Sequence, residues 1–153
     1  MIQEHTIERV LERLESGRDD QETEIRDFAA AQPYLMEYLT HEDTGAFTSE
    51  EQELLIFAAL VIRRSADAEG RERRPVRPDD ITLAEEANYG IAAAAPRGDF
   101  RERLTPFFAA SPEEELLAFV EDLAADEEVI SREAREPFFI TLKTVVDVIT
   151  QPG

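Results

Sequence analysis

The 153-residue sequence predicts an all-α fold: one domain spanning 1–153, built as a compact bundle of six to eight helices. Three observations lead there. Apolar residues recur at spacings of three and four along most of the chain, the period of a helix with one buried face. No segment alternates apolar and polar residues between turn signals, and the hairpin dipeptides Asn-Gly and Asp-Gly are absent. Helix-starting hydroxyl residues followed by glutamates stand just ahead of several apolar runs. A chain of this length can bury roughly two-thirds of the surface its unfolded form exposes, so one core is sufficient.

The first element rests on Ile7, Val10, Leu11 and Leu14, which form one stripe, with Ser16-Gly17 as its stop. A second, from about Asp20 to Gln32, buries Ile25 and Phe28. Pro33 then either kinks that helix or opens a new one through Thr40, with Leu35 and Leu39 inward. Thr48-Ser49-Glu50-Glu51 reads as a capping box ahead of Leu54–Ile62. Those nine residues are apolar around the whole circumference, which places their helix at the centre of the bundle. Composition changes over 63–78, an Arg/Pro-rich loop within the domain that carries six arginines, Gly70, Pro75 and Pro78.

Beyond the loop, Thr82 with Glu85 reads as a further cap. Leu83, Ala87, Gly90, Ile91 and Ala94 then make a stripe of small residues suited to close helix approach. Phe100, Leu104, Phe107 and Phe108 form a short apolar segment interrupted by Pro106. Ser111-Pro112-Glu113-Glu114 starts the next helix, whose inner face is Leu116, Leu117, Phe119, Val120 and Leu123. The last helix runs from about Ser131 to Thr150. Its wide apolar face, Phe138–Ile149, makes it the second central helix, and Lys143, Thr144, Asp147 and Thr150 fall on its wet side. Ser49–Phe57 and Ser111–Phe119 share six of nine residues, a likeness that either duplication or two similarly capped helices would produce.

Composition narrows the function. With no cysteine there are no disulfides, thiolate metal sites or cysteine nucleophiles. The longest apolar run is nine residues against about 20 for a membrane span. The opening Met1–His5 lacks the basic and apolar regions of a signal peptide, so a soluble, cytoplasmic protein is expected. Thirty-five acids against sixteen bases give a net charge of −19, which repels nucleic acid and anionic lipid. Fifteen of the bases are arginine and only Lys143 is lysine, a bias that fits either adaptation to concentrated salt or a GC-rich genome.

Chemistry-bearing patterns are sparse. Only His5 and His41 could serve as imidazole bases, and both sit where helix ends are expected. The six glycines are too scattered for a phosphate-binding loop, and Glu-x-x-His is absent. Acid pairs such as Glu12/Glu15, Glu24/Asp27 and Glu50/Glu53 loosely resemble the magnesium-binding pairs of helical nucleotide pyrophosphatases. An acidic chain produces several such pairs by chance. The one feature set against the global charge is the arginine group Arg63, Arg64, Arg71, Arg73, Arg74 and Arg77. Six arginines against three acids give 63–78 a charge of +3, leaving −22 for the remainder. These side chains would meet an acidic partner or phosphate, or else pair with the chain's own carboxylates.

The reading is therefore a non-catalytic helical protein that works as an interaction or structural module. It has no cofactor and an unknown protein partner, and two strongly apolar helices leave room for a homodimer. The alternative is a Mg- or Mn-dependent hydrolase acting on nucleotides or related phosphates through clustered carboxylates.

Overall fold

Eight α helices carry most of the residues described by the computed structural model, which are 1–41, 47–71 and 75–151. In chain order they are α1 (Glu4–Glu15), α2 (Gln21–Ala31), α3 (Pro33–Thr40), α4 (Ser49–Ala68), α5 (Pro78–Ala94), α6 (Phe100–Ala109), α7 (Glu114–Ala124) and α8 (Arg135–Thr150), the last preceded by a 3₁₀ turn, Arg132–Ala134. Among the described residues there is no strand, and no helix is long and apolar enough to cross a membrane.

Local chemistry explains the boundaries. Gly17 ends α1 with φ +78° and Gly70 ends α4 with φ +71°, left-handed positions that cost a residue with a Cβ. Pro33 starts a separate helix, with Gln32 between α2 and α3 in a non-helical conformation. At the head of α4 the Thr48 hydroxyl accepts the Glu51 N–H at 3.1 Å, and the Glu51 carboxylate accepts the Thr48 N–H at 2.8 Å. The capping box is thus formed, and its glutamate does more. Its second oxygen accepts the Ser131 N–H at 2.8 Å, tying the start of α4 to the approach to α8 with the carboxylate fully buried.

α8 is the hub. It packs on α4, α5 and α7, and all but one of its residues from Phe138 to Thr150 are buried. Phe139 receives the edges of Phe100 and Phe107, at ring separations of 6.4 and 5.3 Å, and Phe138 meets Phe47 edge-on at 6.3 Å. α4 lies against α8 and also touches α1, α2 and α3. Arg103 on α6 staples three elements, donating to the Glu136 carboxylate at 2.7 and 3.0 Å and to the Ala92 carbonyl at 2.9 Å.

Several sequence expectations are corrected here. α4 does not stop at Ile62 but continues to Ala68, so Arg63 and Arg64 are helical and the connection is shorter than 63–78. α5 begins at Pro78, its first turn held by the Asp80 carboxylate accepting the Arg77 N–H; Thr82 and Glu85 lie inside the helix and cap nothing. The buried face of α5 is Ile81, Ala84, Asn88 and Ala92, while Leu83, Ala87, Gly90 and Ala94 face outward, Leu83 at 66 % exposure. Ile25 is likewise exposed. On α8, Lys143, Thr144 and Thr150 are buried, because α4, α5 and α7 enclose the helix on sides that its own pattern marks as wet.

Candidate functional site: an acidic aromatic cleft

The chain holds three tyrosines, and all three line one cleft of about 580 Å³ between α3, α5 and α8. α3 contributes Tyr34, Glu37 and Tyr38, spaced at three and four residues so that one helical face carries them. α5 supplies Ile81, Thr82, Glu85 and Tyr89, again one face, turned toward α3. Pro137 and Thr141 of α8 line it from the core, and Phe47, braced against Phe138, and His41 complete it. The volume is within the range of small-ligand and side-chain pockets. Tyr34 and Tyr89 are half exposed, at 46 % and 49 %.

The polar centre is the Tyr38–Glu85 contact, where the phenol donates to the carboxylate at 2.6 Å. Burial raises the Tyr38 phenol well above its ordinary value, and Glu85 pushes in the same direction, with the Thr144 and Thr141 hydroxyls opposing. Tyr89 is raised as well, by burial first and then by the negative charges of Glu85 and Glu136. Both phenols are neutral at physiological pH.

One helical turn deeper lies a buried polar layer. Asn88, three residues past Glu85 on α5, donates to Thr144 Oγ1 at 3.2 Å and to Asp147 Oδ2 at 3.0 Å. It accepts from Lys143 Nζ at 3.2 Å, and that ammonium pairs with both Asp147 oxygens at 2.7 Å. Every polar atom of this layer has a partner, the condition under which such groups are tolerated in a core. The layer fastens α5 to α8 beneath the cleft.

The arginines singled out from the sequence do not converge. Arg64 on α4 grips Glu24 with two donors and also reaches Asp27 and Asp67. Glu24/Asp27, one of the acid pairs with metal-site spacing, is therefore taken up by a guanidinium. Arg71 donates to Glu113 and to the Thr150 carbonyl, both at 2.6 Å, while Glu113 also accepts the Ile2 N–H at 2.9 Å. Arg63 is half-buried beside Arg71 at a small cavity, Arg77 is exposed at the start of α5, and Arg73 and Arg74 lie outside the described residues. Among the described residues no three His, Asp or Glu side chains gather into a set able to hold a metal ion.

Sequence reasoning missed the cleft. The available signal was the placement of the only three tyrosines on two helices with glutamates one turn away, Glu37 beside Tyr34 and Glu85 beside Tyr89. No protein-family model matches the chain, and comparison with curated proteins and with solved structures gives no match.

Proposed function

We propose that this chain is a non-catalytic helical binding module whose α3/α5/α8 cleft docks a segment of a partner polypeptide. The observation that carries this reading is the concentration of all three tyrosines in one open cleft, two of them half exposed. Tyrosine is an amphipathic side chain with little conformational entropy to lose, and it is enriched at the centres of protein interfaces. Leu83, the most exposed large apolar side chain among the described residues, directly follows the cleft residue Thr82 on α5 and extends the contact surface beyond the cleft. The metal-dependent alternative has no convergent carboxylate set among the described residues behind it.

The test is selection of a random peptide library displayed on phage against the intact chain. Enriched peptides should lose at least tenfold in affinity to Thr82→Trp, an exposed α5 position where an indole would fill the cleft, with helicity checked by circular dichroism. Selection of no peptide, or of peptides indifferent to Thr82→Trp, would defeat the reading.

A further inference from the structure

We infer that the cleft is built to receive a basic side chain, the guanidinium or ammonium of an arginine or lysine presented by the partner polypeptide. This rests on the docking reading above and names the chemistry of its occupant. Several half-buried or buried acids elsewhere have a cation beside them: Glu24 has Arg64, Glu113 has Arg71, Glu121 has Arg101, Glu136 has Arg103 and Asp147 has Lys143; Glu51 and Glu69 are instead held by backbone N–H groups. Glu85 has neither an arginine or lysine nor a backbone N–H donor beside it among the described residues. No arginine or lysine is found among the described residues lining the cleft, and Glu85, itself half-buried, receives a single hydrogen bond, from Tyr38. That bond uses Oε2 and leaves Oε1 without a donor among the described residues.

A carboxylate in a partly dry site recovers stability from an opposite charge, and a cation there gains from both the charge and the aromatic faces around it. Tyr34, Tyr38, Tyr89 and Phe47 supply those faces. The carboxylates of Glu85 and Glu37 line the same cleft and supply the negative charge such a cation would meet. The global charge of −19 further steers basic partners toward the molecule. A polypeptide is the source committed to, because the half-exposed flanks Tyr34 and Tyr89 offer contact area outside the cleft that a small free cation would not use.

The chain carries its own reporter. It has no tryptophan, and its three tyrosines all line the cleft, so intrinsic tyrosine fluorescence reads that site alone. Titration with N-acetyl tripeptide amides Gly-Arg-Gly and Gly-Lys-Gly should change this emission saturably, and the isosteric citrulline peptide should bind at least tenfold more weakly. Glu85→Gln should weaken the arginine peptide at least fivefold. Tyr38→Phe, which frees Glu85 Oε2 without removing its charge, should bind it at least as well as the parent chain. Glu37→Gln, at an exposed position that packing does not constrain, should cost at least twofold. Citrulline or Gly-Glu-Gly binding as tightly as arginine, or no effect of either glutamine variant, would overturn the basic occupant while leaving a docking cleft. Spermidine binding more tightly than both basic tripeptides would overturn the polypeptide source. Silence from every probe, together with failure of the library selection, would remove the docking reading itself.

Discussion

The Lys143–Asp147 pair shows how much one residue's surroundings decide its role. Lysine is the rarest base in this chain, occurring once, and that copy is 4 % exposed with its ammonium on Asp147 and Asn88. Removing one member of a buried pair strands the other charge, at about 3–5 kcal/mol, whereas replacing both with apolar residues is often close to neutral. Asp147→Ala should therefore destabilise the protein by about 3 kcal/mol, and the double variant Lys143→Met/Asp147→Leu by clearly less. Urea denaturation of both variants checks this; equal losses would show that the charges do not depend on each other. A helical wheel puts Lys143 in water because it registers only that helix's own pattern. The number of neighbours around α8, which decides the matter, is a tertiary fact.

At the scale of elements, the legible features were those with strong local chemistry. The capping box of α4 and the glycine stop of α1 stand where the residues indicate, since a hydroxyl at N-cap or a left-handed glycine needs no tertiary partner. α5 was misread for a reason of composition. It is rich in alanine, so its apolar phase is nearly degenerate, and the residue that fixes the true face is polar: Asn88, chosen by the Lys143–Asp147–Thr144 layer. The cleft was lost with that phase, because Glu85 reads as part of a cap and Tyr89 is not in the expected stripe. The α4 start also makes a pH prediction. Burial pushes the Glu51 carboxyl up, but the N–H groups of Ser131 and Thr48, with their hydroxyls, outweigh it and hold its pKa below the ordinary value. A carboxylate depressed by folding contributes its full stability above the unfolded value of about 4.3 and loses it as pH falls through the folded value. Glu51→Gln should lower stability by about 1–2 kcal/mol at pH 7 and flatten the decline below about pH 4. Thermal melts from pH 7 to pH 2.5 measure it; a parallel decline in both proteins would place the acid sensitivity elsewhere.

For the whole molecule, charge and topology set the behaviour. With thirty-five acids on a chain of this size, self-repulsion opposes the compact state, and its reach shrinks from about 10 Å at 0.1 M salt to about 3 Å at 1 M. Raising KCl across that range should stabilise the fold by about 1–2 kcal/mol, or roughly 3–6 °C in Tm, read by circular dichroism. A flat or falling midpoint would mean that internal ion pairs such as Arg64–Glu24 already balance the surface charge. The position of α8 has a further consequence for biogenesis. The helix on which α4, α5 and α7 all lean is made after them, so a nascent chain leaving the ribosome holds three oily faces with nothing to close on. Until Phe138 and Phe139 emerge, those faces stay uncovered, the kind of transient apolar surface that promotes premature association.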